Sequence, residues 1–298
     1  MKTRKILTAL VASLFAAGAA QAATLDTTSA ANNFAAGNPG EGPSGATGGD
    51  GILQNCTGID WHSNGAALVQ GFDLTGANTT GNFDDFVLTY QAFAGVINTS
   101  SLTPDLRVGA PGPGVGTYEL TTIATLFERA TCSNATCSTV DITLTPNTTS
   151  TWTVWFDKAP NAVQATGVGF TDGIPILSGA WTGEQSTFAA TGSAGTPGAT
   201  GVGSATLTGT VLVTNNAFVN PTLAGTRFDT TLQFPGAGTF TRPTSVNGIA
   251  TGANTNSQFV LNADGAQEFA VPEPASLALL GLGLFGMGAL NRRRGKQG

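Results

Sequence analysis

The chain has 298 residues, including 41 Gly and 17 Phe, and only 10% of it is charged, against about 25% in ordinary globular proteins. Twelve Lys and Arg stand against 18 Asp and Glu, a formal net charge of −6, an acidic balance that argues against nucleic acid as a partner. One His, His62, cannot build a two-histidine zinc motif, and no Gly-x-Ser-x-Gly elbow occurs.

In chain order, Lys2, Arg4 and Lys5 precede an apolar run from Ile6 to Ala20. Ala20-Gln21-Ala22 is a small-x-small cleavage site, so residues 1–22 read as a signal peptide cut between Ala22 and Ala23. That predicts Sec export, and with it a compartment where disulfides persist. Residues 23–270 form the exported body. Without 1–22 and 271–298, five basic residues remain against 17 acidic ones, a net charge of −12.

Within the body the pattern has a period of two. Phe86, Leu88 and Tyr90 alternate with Val87, Thr89 and Gln91, and Leu120, Thr122, Ala124 and Leu126 alternate with Ile123, Thr125 and Phe127. The same period carries Val140, Ile142 and Leu144, then Trp152, Val154 and Phe156. It returns as Leu207, Val211 and Val213 against Thr206, Thr208 and Thr210, and as Phe228, Thr230, Leu232 and Phe234. Half-buried antiparallel strands explain this, and the predicted fold is mainly β, an antiparallel β-sandwich of jelly-roll type. Residues 33–51, 111–116 and 192–203 read as glycine-rich loops, and 236–257 as a further irregular stretch.

Cys132 and Cys137 flank a Ser-Asn-Ala-Thr turn, so a bridge between them would staple a hairpin. Cys56 is then left over: free, linked to another molecule, or the true partner of one of the other two. No catalytic constellation emerges, and the chain is read as no enzyme. A glycosidase needs only two carboxylates, for which Asp84, Asp85, Glu119, Glu128, Asp172 and Glu184 are the candidates. No cofactor is expected. The ion best suited to the chemistry is Ca2+, at Asp84-Asp85 or at Asp157 with Asp172. Trp61, Trp152, Trp155 and Trp181 offer flat faces for sugar rings. Trp152 and Trp155 point to opposite faces of one strand, so a Trp155 outside the core needs a ligand, a second sheet or a loop to cover it.

The final segment, 271–298, has three parts. Pro272-Glu273-Pro274 keeps the backbone extended. An uncharged run from Ala275 to Leu290 can enter lipid as a short glycine-rich helix, and Arg292, Arg293 and Arg294 then stop translocation. This order resembles the PEP-CTERM sorting tail of envelope and biofilm proteins. The resemblance implies an exosortase-type processing enzyme as partner, cleavage near the Pro-Glu-Pro, transient anchoring in the inner membrane, and delivery to the cell surface. Gly116-Thr-Tyr-Glu-Leu120, the segment from Trp155 to Ala162 and that from Gly167 to Gly179 look like the centre of flocculation-associated PEP-CTERM proteins. That likeness implies a structural or adhesive role beside extracellular polysaccharide. The reading from another class is a carbohydrate-binding or glycoside-cleaving module.

Overall fold

The computed structural model describes residues 53–270, apart from 55, 73–79, 100–118, 158–160, 192–199, 221, 236–239, 253, 254 and 256. The signal segment with Ala22 and Ala23, the arm 33–51, the 111–116 connection and the tail with Pro272, Glu273, Pro274 and the three arginines lie outside the described residues.

Everything regular in the described chain is strand: β1 (Leu53–Gln54), β2 (Cys56–Trp61), β3 (Gly65–Gln70), β4 (Phe83–Thr99), β5 (Glu119–Cys132), β6 (Thr139–Leu144), β7 (Thr151–Asp157), β8 (Ile174–Thr191), β9 (Thr200–Thr214), β10 (Val219–Asn220), β11 (Arg227–Phe234), β12 (Ser245–Val246), β13 (Ile249–Ala250) and β14 (Gln258–Phe269). Among these residues no helix is long and apolar enough to cross a membrane. The abundance of Thr, Val and Phe with few strong helix formers is the local reason.

Ten of the strands make one antiparallel sheet that closes on itself. β2 and β3 run in line between β4 and β14, and β6 and β7 run in line between β5 and β8. The ten strands thus fill eight wall positions, each bonded to the next in chain order. Closure comes from β14, which pairs with β3 over Gln258–Ala263 and with β2 over Ala266–Glu268. The molecule's wall is therefore an up-and-down barrel. The antiparallel β class predicted from sequence holds, but the jelly-roll sandwich does not. Jelly rolls need Greek-key crossovers, and every connection in this wall goes to a neighbour.

Eight positions leave an interior just wide enough for side chains to fill. Phe228, Thr230, Leu232 and Phe234 point in from β11 while Arg227, Asp229, Thr231 and Gln233 point out. Trp152 and Trp181 meet Phe228 with ring centroids 4.9 Å apart in each case. The void left at the centre, beside Trp61, Tyr90, Trp152 and Trp181, is only about 10 Å³, room for a single water at most. Phe72, Phe86 and Phe259 stack edge to face toward one end, and Phe156 packs on Phe218 toward the other.

Glycines make room for these rings. A Cβ on Gly209 would strike the Phe228 ring and the Ala180 carbonyl, and one on Gly179 would strike the Trp152 indole. Gly201 and Gly203, expected in a loop, are strand residues of β9 beneath the Phe188 ring. Val213, predicted to share the inner face with Leu207 and Val211, is 59% exposed. A bulge between the Ser178 and Gly179 pairings shifts the register and turns it outward.

Candidate functional site

Part of the barrel's outer wall is covered by two segments, and they occupy the region the sequence singled out. After β7 the chain turns back across β4 and β5 through residues 161–173. Glu119 at the start of β5 is 1% exposed, and its Oε1 accepts the backbone N–H groups of Asn161 (2.8 Å) and Ala162 (2.9 Å). Thr121 donates its hydroxyl to the Phe170 carbonyl at 2.7 Å. Ala162 and Phe170 pack with Phe93 and Ile123, and Trp155 lies against this cluster. Trp155 is thus covered by a loop, one of the explanations its outward position allowed.

Gly167 and Gly169 adopt φ of +72° and +83°. A side chain on the first would collide with Ser245 and on the second with Asn161 and Ala162. The Gly-Val-Gly pattern is a packing requirement of this loop. The residues from Glu119 through Gly173 form one structural device that holds an extended segment onto the wall.

The second covering segment, 240–251, contains the β12–β13 hairpin. Sequence reasoning read this stretch as irregular, although Asn247-Gly248 is the strongest two-residue hairpin signal. Both residues have positive φ, +48° and +75°. Asn247 donates its backbone N–H to Gln91 Oε1 (2.7 Å) on β4, and Val246 packs with Ala66, Leu68 and Val260. The two segments are laced together, Thr244 N–H to the Ala165 carbonyl and the Ser245 hydroxyl to the Thr166 carbonyl.

The candidate carboxylates do not converge on one open cleft. Asp85 forms a two-pronged pair with Arg129, at 2.6 and 2.8 Å, whose guanidinium also lies 4.0 Å from the exposed Phe83 ring. That hydrogen bond and charge hold the Asp85 carboxyl below its ordinary range. Asp84 is on the opposite face of β4 from Asp85, as adjacent strand residues are. Asp172 accepts from the Asn161 amide at 3.0 Å. Glu128 and Glu184 alone face each other, inside the barrel. Burial first, then the neighbouring Glu184 carboxyl, pushes Glu128 well up. Among the described residues no group of three or more His, Cys, Asp or Glu side chains could hold a metal ion.

Cys132 and Cys137 are joined, with Cα atoms 4.8 Å apart. Asn134 organises the turn they enclose, its Oδ1 accepting the N–H groups of Thr136 and Ser138, each at 3.1 Å. Cys56 is free and buried. Burial pushes its thiol up to about 12, so it stays protonated and unreactive at physiological pH. His62 sits in the turn between β2 and β3, its Nδ1 accepting the Asn64 N–H and its ring 4.7 Å from Phe93. Trp61, Trp152 and Trp181 are buried, which corrects their reading as sugar-stacking faces. One open depression, about 410 Å³, crosses the outer rim of β6, β8, β9 and β11. Thr139, Thr187, Ser204 and Gln233 line it together with Val202 and Pro235, and no charged side chain takes part.

The body is thus a closed, internally packed antiparallel barrel bearing a two-segment outer cover. Residues 270–294 match the family described as the PEP-CTERM protein-sorting motif. The chain carries a PEP-CTERM sorting tail, which marks it as an exported protein processed by an exosortase and sorted to the cell surface. No curated protein and no solved structure matches the chain.

Proposed function

We propose that this protein is a non-enzymatic structural or adhesive component of an exopolysaccharide-associated matrix, of the flocculation-associated kind, exported by the Sec route and held only transiently in the inner membrane by its tail. The observation that carries this reading is where the barrel ends. Its closing strand stops at Phe269, and Ala270 gives its N–H to the Arg227 carbonyl, immediately before the sorting segment. Cleavage near Pro272-Glu273-Pro274 falls after the last strand of the wall. A rigid body with a filled centre suits a building block better than a carrier of small ligands.

Polysaccharide would be met on the outside. The uncovered wall presents Thr206 and Thr231 with Ser204, Gln185 and Gln233, short hydroxyl and amide groups suited to neutral polyols. The body needs no cofactor on this reading. The test is mass spectrometry of protein recovered from culture medium and from washed cells. A form beginning near Ala23 and ending just before or within Pro272–Pro274 is expected. An intact tail through Gly298 in the native host would refute exosortase processing and leave a membrane-anchored surface domain.

A further inference from the structure

Glu128 and Glu184 face one of the two wall positions that are shared by a pair of in-line strands, the position held by β6 and β7. β6 leaves β5 at Leu144, opposite Glu128, and leaves β8 at Ile142, opposite Ser186. β7 resumes the wall only at Thr151, opposite Thr125 of β5 and Ala180 of β8. Between these points residues 145–150 loop outward, and Ser150 patches the gap by accepting the Phe127 N–H and the Trp181 N–H. The two glutamates reach toward each other across the inner side of this gap. Glu128 is 2% exposed. The Ser186 hydroxyl donates to Glu184 Oε1 at 2.5 Å, and Oε2 of each acid is buried without a hydrogen-bond partner.

Among the described residues no cation balances them. Arg129, next in sequence to Glu128, projects from the other face and is engaged by Asp85. Asp141 on β6 is outside, bonded to Ser133. Asp84 lies at the rim of β4, Glu119 at the far end of β5 under the covering loop, and Tyr90 is an inward phenol. From β9, β11 and β14 the inner wall offers Leu207, Thr230 and Gln267, which stand in one row with Glu184 across the paired strands. Two buried charges with no counter-ion would cost several kcal/mol, and a carboxylate has no donor to offer its neighbour until one of the pair takes up a proton.

We propose that Glu128 and Glu184 share one proton at neutral pH and act as a proton-dependent clasp joining β5 to β8 across the interruption between β6 and β7. Glu128 carries the proton and donates it to Glu184, which also accepts from Ser186. Removing that proton places two like charges across the break between β6 and β7, and the repulsion loosens β5 from β8 there.

The sign follows from proton counting. Free glutamate in the unfolded chain loses its proton near pH 4.3, while the clasp keeps its proton to higher pH. Between those points the folded state binds one more proton than the unfolded, so stability falls as pH rises, with the folding constant dropping about tenfold per pH unit. The stabilisation is complete below the unfolded value and is lost by the time the pair ionises.

The test is urea denaturation of the exported protein, wild type and Glu128→Gln, between about pH 5 and about pH 8. The wild type should lose stability with the tenfold slope, and the amide variant, which donates without titrating, should lack that component. An equal slope in both proteins, or a flat wild-type profile, overturns the proposal. If Glu128→Gln does not fold, infrared spectroscopy of the wild type decides. A protonated-carboxyl band at neutral pH that disappears on alkaline unfolding supports the clasp, and its absence at neutral pH refutes it.

Discussion

Gly209 shows how a small residue determines what its neighbours can do. It faces inward on β9, and the Phe228 ring crosses it where a Cβ would stand. Gly179 beneath Trp152 and Gly203 beneath Phe188 repeat the arrangement, so part of the chain's glycine content serves aromatic packing inside a narrow barrel. Gly209→Ala should therefore destabilise by about 1–3 kcal/mol, the cost of overpacking. Thr206→Ala, on the exposed face of the same strand, should stay within about 0.5 kcal/mol. Urea titration of both variants checks the pair, and equal effects would sink the packing argument. Glu119 shows the limit of reading residues singly. As a carboxylate in a β protein it was a candidate for catalysis or solvation, and only the fold shows it accepting two backbone N–H groups from a loop more than forty residues away in sequence.

At the scale of elements, legibility followed alternation. β6, β7 and β11 were readable because one face is mostly apolar and the other mostly polar; in β11 the exposed and buried residues alternate without a break. β3 was not, because Ala66 and Leu68 are buried under the β12–β13 hairpin while Ala67 and Val69 face the barrel. A strand covered on both sides loses its period-two signature. β14 was missed for a different reason: its inner face carries Ala263, Gly265 and Gln267, which are too small or too polar to look like a core. The disulfide hairpin joining β5 to β6 has its own hydrogen bonds at Asn134 in addition to the bridge. Closing so short a loop is worth about 2 kcal/mol through the unfolded state. Replacing both Cys132 and Cys137 by Ser should lower stability by about that amount, read from the denaturation midpoint. A change near zero would mean that the Asn134 network alone holds the turn.

For the whole molecule, closure is the property with the most consequences. β14 seals the barrel against both β2 and β3, so a chain ending at Ser257 leaves unpaired edges on β11 on one side and on β2 and β3 on the other. Such edges template association between chains. The truncated protein should be recovered as aggregate, while a chain ending at Ala270 should be soluble and monomeric by size-exclusion chromatography. A soluble monomer from the shorter chain would show that closure is not what stabilises the body. The sorting segment begins immediately after the strand that completes the wall.

The amino-acid sequence by itself determined the destination of this protein and the class of its structure. A sorting tail acts through local chemistry, a rigid Pro-Glu-Pro, an apolar run and an arginine cluster, and strands announce themselves by a period of two. Both signals lie within a few consecutive residues. What only the tertiary structure decided was barrel rather than jelly roll, the covering of Trp155, the burial of three other tryptophans and the meeting of Glu128 with Glu184. Each depends on register between strands distant in the chain, and alternation is the same whether a half-buried strand belongs to a sandwich or a barrel. The side-chain pattern says which face is buried, and the bulges and the pairing of the last strand with the first say against what.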